Sequence, residues 1–240
     1  MSHGKVILSA SILIIIGLIF IGCSKEKSIS VKQNIKITPE EKDNSEDFLT
    51  PSPLKIKVID SFVNIEDENP NIIVDLKYAT TDNFVKKVVY PFNICLLREE
   101  SAVKLSKAEL EFEKIGYKIK IWDGYRPVYV QKIFWSIVGD SRFVANPSTG
   151  GSIHNKGCAV DMTLVNEKGE TIEMPSNFDD FTEKAYGSGA MTAVARSNLN
   201  ILTTIMVKSG FKTIETEWWH FEDVDSSKFQ IIDIDPNLFK

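Results

Sequence analysis

Beyond His3 this chain holds only two histidines, His154 and His220, and each has carboxylates close by in sequence. The first lies in Ser152-Ile153-His154-Asn155-Lys156-Gly157-Cys158-Ala159-Val160-Asp161, the second in Glu217-Trp218-Trp219-His220. Imidazole is the commonest metal-binding side chain. A metal site is therefore the first expectation, and it makes a demand on the fold. Two segments far apart in the chain must meet.

The remaining sequence sets the frame for that meeting. A length of 240 residues suits one domain with appendages, and an apolar fraction of 43% supports a real core. The formal net charge of −5 argues against a nucleic-acid partner, since phosphate binding calls for a basic patch. Phosphate-cradling glycine motifs and internal repeats are not seen in the sequence.

The N-terminal segment reads as an export signal. Lys5 precedes an almost unbroken apolar run, Val6 to Gly22, and Cys23 follows at once. Phe20-Ile21-Gly22-Cys23 resembles a bacterial lipobox, with Phe20 where leucine is usual, and implies cleavage before Cys23 and lipidation of its thiol. An uncleaved membrane anchor is the competing reading, because the run is close to the length that spans a bilayer. Composition then turns to Lys, Glu, Ser, Asn and Asp and ends in Thr50-Pro51-Ser52-Pro53, which suits a tether that cannot bury enough apolar surface to fold. The expected organisation is a signal peptide over 1–22, a lipidated N-terminus and tether over 23–53, and one folded domain over 54–240. The expected product is an exported protein, lipid-anchored to a bacterial cell membrane.

Within the domain, alternation predicts strands over Leu54–Val63 and Tyr117–Trp122, Ile and Val richness predicts one over Asn71–Tyr78, and Cys158–Val165 and the aromatic-rich Phe211–Glu222 read as further strands. Apolar residues at helical spacing predict helices over Ser101–Ile115, Val128–Val138 and Ala190–Ser209. These elements mix without regular βαβ alternation, so the fold class is α+β, a mainly antiparallel sheet with flanking helices. Cys158 reads as a small buried side chain at a strand start or as an additional ligand. A disulfide to Cys95 is permitted outside the cytoplasm.

On a continuous strand, His154 and Asp161 would face opposite sides, because side chains alternate. The turn-prone Asn155-Lys156-Gly157 lets His154 swing back toward Asp161. His220 is the one histidine left to complete the set. Two imidazoles and one carboxylate leave a coordination position on zinc open, as catalytic sites do, and water bound there becomes a nucleophile near neutral pH. Glu217 is the expected general base, with Glu215 and Glu222 as rivals; its spacing from His220 demands a bend or bulge at Trp218-Trp219. Arg126, in Trp122-Asp123-Gly124-Tyr125-Arg126-Pro127, is the expected oxyanion donor, against the plainer reading of a surface pair with Asp123.

Taken together, these residues resemble the zinc D,D-peptidases of family M15. Ser152, His154, Gly157, Ala159 and Asp161 fall where that family's first metal segment expects them, Glu217 to His220 match its second, and Asp123 to Pro127 match its arginine segment. Asp75-Leu76-Lys77-Tyr78-Ala79-Thr80 is similar to an early segment of the D-alanyl-D-alanine dipeptidase branch, the VanX type, and the likeness runs from about Asn71 to Glu222. The resemblance implies that fold, one Zn2+ held by His154, Asp161 and His220, Glu217 as base and Arg126 stabilising the transition state. It implies a small closed cavity for a free dipeptide, with Asp179 receiving the substrate ammonium (Asp180 is the neighbouring candidate) and Ser152 and Tyr78 touching substrate. Two features depart from it: Cys158, where relatives carry a small polar residue, and the export signal, which points to scavenging or turnover of released D-Ala-D-Ala. A zinc D,D-carboxypeptidase acting on peptidoglycan stems and a non-catalytic zinc-binding lipoprotein are the alternatives.

Overall fold

The computed structural model describes residues 56–240. The signal peptide, Cys23 and the tether expected over 1–53 lie outside the described residues. From Phe62 the order is β1 (Phe62–Asn64), α1 (Ile65–Glu68), β2 (Ile73–Val74), β3 (Leu96–Arg98), α2 (Glu99–Glu113), β4 (Tyr117–Asp123), α3 (Val128–Val138), β5 (Ala159–Asn166), α4 (Ala193–Lys208), β6 (Phe211–Thr213) and β7 (His220–Asp223). Five strands form one sheet in the order β2-β4-β5-β7-β6, and β1 and β3 pair as a separate ribbon. Only the β2–β4 pairing in the large sheet is parallel. The fold is thus α+β with a mainly antiparallel sheet. No helix among the described residues is long and apolar enough to cross a membrane.

Local chemistry explains the helices. In α2, Ala102, Leu105, Ala108 and Phe112 recur at helical spacing and are buried. Pro127 precedes α3, and Gly139, at φ +61°, supplies the left-handed residue that ends it. Thr192 caps α4 by accepting from the Ala195 N–H. Residues Ala159 to Val165 of β5 are buried without interruption, as a central strand covered on both faces requires.

Three stretches depart from the periodicity reading. Of the strand expected over Leu54–Val63, Leu54 and Lys55 lie outside the described residues, and the rest contributes only to the short β1, because Asp60 and Ser61 take left-handed conformations and turn Ile59 back onto Phe62. Asn71–Tyr78 pairs as a strand only at Ile73–Val74 and then winds into a 3-10 turn at Lys77–Ala79. Phe211–Glu222 is not one strand but a hairpin, β6 and β7, whose connection contains Glu217, Trp218 and Trp219.

A bulge near the end of β4 changes which side chains share a row. Ile121 pairs with Met162, yet Asp123, not Trp122, pairs with Asp161. Asp161 in turn pairs with His220 on its other side. Bulges re-aim side chains, and this one sets Asp123, Asp161 and His220 in a single row across three strands.

Candidate metal centre and active site

His154 lies on a 3-10 turn, Ile153–Lys156, held at both ends. The Ser152 hydroxyl accepts from the His154 N–H at 3.2 Å, and the Asn155 side chain accepts from the Ser152 N–H at 2.8 Å. Gly157 ends the turn at φ +73°, and a Cβ there would collide with the Phe62 ring. A glycine is required on both counts. The turn swings His154 back over β5, as the sequence implies.

His154 Nδ1 lies 2.8 Å from the Gly124 carbonyl oxygen. A carbonyl can only accept, so Nδ1 carries the proton and Nε2 is left with its lone pair. That Nε2 sits 3.3 Å from Asp161 Oδ1 and 3.2 Å from His220 Nδ1, and His220 Nδ1 is 2.9 Å from Asp161 Oδ1. All three residues are buried. Tetrahedral zinc with ligands at about 2.0–2.2 Å has ligand–ligand edges of about 3.3–3.6 Å. The observed triangle is slightly tighter, and its donor atoms are of the type zinc takes. Burial works against charge on the His220 ring, yet Asp161 and Glu222 push its pKa up to about 10. Despite burial, His154 and His220 hold the Asp161 carboxyl far below the usual carboxylate range. The three side chains thus stabilise one another in a buried cluster that could hold a metal ion.

The other expected residues converge on the same place. A cavity of about 490 Å³, ordinary for a small ligand, is lined by Tyr78, Arg126, Ser152, Asp179 and Glu217 together with His154, Asp161 and His220. Glu217 Oε2 stands 3.8 Å from His220 Nδ1, on the side facing the donor triangle. Its pKa is raised, chiefly by burial, which makes it a better proton acceptor than an exposed glutamate. The anticipated irregularity is a tight turn in which the His220 N–H meets the Glu217 carbonyl at 3.3 Å. Trp218 and Trp219 are buried in the core cluster, with Trp218 edge-on to Trp122.

Arg126 is buried rather than on the surface. Its Nε and Nη2 donate to Asp123 Oδ2 at 2.9 and 2.7 Å, and Nη1 donates to Gln131 Oε1 at 2.9 Å. Asp123 also accepts from the Tyr90 hydroxyl at 2.6 Å and from its neighbour's N–H. The guanidinium lies 5.5 Å from the Tyr78 ring centre and 5.0 Å from that of Phe134. So the pair with Asp123 exists, and it holds Arg126 at the cavity wall, with Nη2 3.7 Å from Asp161 Oδ2.

Asp179 sits at φ +58°, a left-handed conformation that Asp tolerates better than most residues. The Tyr78 hydroxyl donates to its Oδ1 at 3.0 Å and the Phe84 N–H to its Oδ2 at 3.3 Å. Burial raises its pKa to about 7. Asp180 does not line this cavity; it accepts from Thr182 instead. Cys158 is buried and lies outside the donor group, and Cys95 is a free thiol as well, so among the described residues neither metal ligation nor a disulfide involves them. Sequence reasoning overlooked Gln131 and the Phe84 N–H. A glutamine at helical spacing from Phe134 and Trp135 was the available sign of the first; a backbone donor leaves none.

Paired imidazoles and a carboxylate, lining one cavity with a buried glutamate and a fixed guanidinium, make up a group that could hold a metal ion. The chain belongs to the Peptidase M15 family, described as D-Ala-D-Ala dipeptidase, which it matches over residues 60–235. It is 34% identical over 165 residues to a D-alanyl-D-alanine dipeptidase of Escherichia coli (strain K12), covering 68% of this chain and 84% of that protein. It is 33% identical to the D-alanyl-D-alanine dipeptidase of Enterococcus faecalis (strain ATCC 700802 / V583), covering 63% and 85%. Among solved structures, the LdcB LD-carboxypeptidase aligns over 76% of this chain and 78% of its own, at 20% identity and a TM-score of 0.40.

Proposed function

We propose that this protein hydrolyses D-alanyl-D-alanine to two D-alanines using one zinc ion held by His154 Nε2, Asp161 Oδ1 and His220 Nδ1. The observation that carries this is the meeting of three donor atoms with Glu217, Arg126 and Asp179 around one cavity. Zinc held by these three residues would supply Lewis acidity toward the peptide carbonyl and would lower the pKa of a water. Glu217 takes the proton of the attacking water and hands it to the leaving amine. Arg126 donates to the oxyanion as it forms, with no reorganisation because Asp123 and Gln131 already hold it. Asp179 receives the substrate ammonium in a site poor in competing water, and Tyr78 and Ser152 flank the dipeptide. Burial of Asp179 favours a free amine over an acylated one, because an acyl group gives its carboxylate no cation to meet.

Sequence alone supports the cellular placement. Lys5, the Val6–Gly22 run and Cys23 suit export and a lipid anchor, so the substrate is dipeptide released outside the cytoplasm.

The test is an assay of D-Ala-D-Ala against its N-acetylated analogue, before and after chelation. Turnover of the free dipeptide that is lost to chelator and restored by zinc is expected. Preference for the acetylated compound would instead establish a carboxypeptidase, and retention of zinc without turnover of either would establish a binding protein.

A further inference from the structure

Glu222 stands two residues beyond His220 on β7, so both side chains point to the same face of the sheet. Its Oε1 lies 3.4 Å from His220 Nε2, the ring nitrogen turned away from Asp161 and His154. Its Oε2 lies 2.9 Å from Lys212 Nζ. Lys212 is the direct cross-strand partner of Glu222 in the β6–β7 ladder, so backbone register builds this contact. The Glu222 side chain is only 15% exposed, whereas Lys212 is 53% exposed. The carboxylate is therefore fixed between a ring nitrogen on the inside and an ammonium on the outside.

Such an arrangement answers a question the metal triangle poses. His154 points Nε2 inward and has Nδ1 tied to a carbonyl. His220 points Nδ1 inward, and something must take the proton on its Nε2. A carboxylate can only accept. We infer that Glu222, anchored by Lys212, is a positioning residue that accepts the Nε2–H of His220 and so presents the Nδ1 lone pair to the metal. It does not act as the base: it contacts the outward nitrogen, whereas Glu217 faces the inward one. Partners of this kind commonly alter metal affinity 10- to 100-fold when removed.

This inference rests on the metal-centre reading, not on the identity of the substrate. The full-length protein and its Glu222→Ala, Glu222→Gln and Lys212→Ala variants are titrated with zinc against a competing chelator. The imidazole protons of the zinc-loaded proteins are followed by 1H–15N NMR, and thermal melts establish that each variant is folded. For Glu222→Ala the expected result is a loss of zinc affinity of about 10- to 100-fold. The His220 Nε2–H resonance should then lose its protection from solvent exchange. Glu222→Gln, whose amide oxygen still accepts, should recover part of the affinity, and Lys212→Ala should lose less than Glu222→Ala. Zinc affinity within twofold of the parent in Glu222→Ala, or an unchanged His220 resonance, overturns the proposal. A parent that binds no zinc overturns the metal centre itself, which separates the two failures.

Discussion

Tyr78 and Asp179 lie 101 positions apart in the chain and meet through a 3.0 Å hydrogen bond at the wall of the cavity. With the Phe84 N–H on its other oxygen, Asp179 is oriented from two segments while the rest of its acceptor capacity faces the cavity. A charge-assisted hydrogen bond is worth about 1.5–3 kcal/mol. Asp179→Asn should therefore lower kcat/KM for D-Ala-D-Ala by about 10- to 100-fold, and the N-acetylated analogue should be far less affected. Steady-state kinetics with both compounds reads the difference; equal losses would place Asp179 outside ammonium recognition.

Glu217 contributes no atom to the donor triangle, yet it stands beside it. Glu217→Ala should retain zinc and lose turnover by about 10²- to 10⁴-fold, the usual reach of a general base. Metal analysis and kcat on the same preparation check this. Parent-like turnover would remove Glu217 from the mechanism.

Arg126 is bound to Asp123 through two nitrogens on one oxygen, in a place with almost no solvent. A lysine there keeps the charge but cannot reproduce the fork. Arg126→Lys should cost kcat about 10²- to 10³-fold, as loss of an oxyanion donor does. It should also lower Tm, because the buried Asp123 loses contacts. Kinetics and thermal melts separate the two effects, and an unchanged kcat would reassign Arg126 to structure alone.

Far from the cavity, Glu109 of α2 is fully buried and accepts from the Ile119 N–H at 2.7 Å, while its Oε1 has no partner among the described residues. Burial raises its pKa from 4.5 to about 7. The folded state therefore binds the proton more tightly than the unfolded one. The resulting stabilisation is complete below pH 4.5 and is lost as pH rises through about 7. Glu109→Gln should flatten this part of the stability–pH profile and unfold at higher denaturant than the parent at pH values well above 7. Urea melts across the range measure it, and an unaltered slope would sink the assignment.

Much of the fold was legible because its helices and central strands have one clear periodicity each. Ala102, Leu105, Ala108 and Phe112 announce α2, and Val128–Val138 is bounded by Pro127 and Gly139. The hairpin of β6 and β7 was not legible as such. Phe211–Glu222 is apolar and aromatic at both ends, and nothing local distinguishes a bent strand from two strands that pair with each other. Likewise Lys77–Ala79 reads as extended, but its Tyr78 is drawn into the aromatic cluster with Phe134 and Tyr90, and that packing overrides local preference.

Residue types and local spacing were enough to single out His154, Asp161 and His220 as a group that should meet, because a metal restricts its ligands to few side chains and Gly157 permits the turn they need. They could not say which nitrogen of each ring faces the other two side chains, or that Asp123 supports Arg126 rather than burdening it. Those outcomes depend on the β4 bulge, the β6–β7 register and the Gly124 carbonyl, each a relation between strands or loops distant in the chain. Hydrogen-bond direction and ring orientation are properties of neighbours in space, and only folding assigns those neighbours.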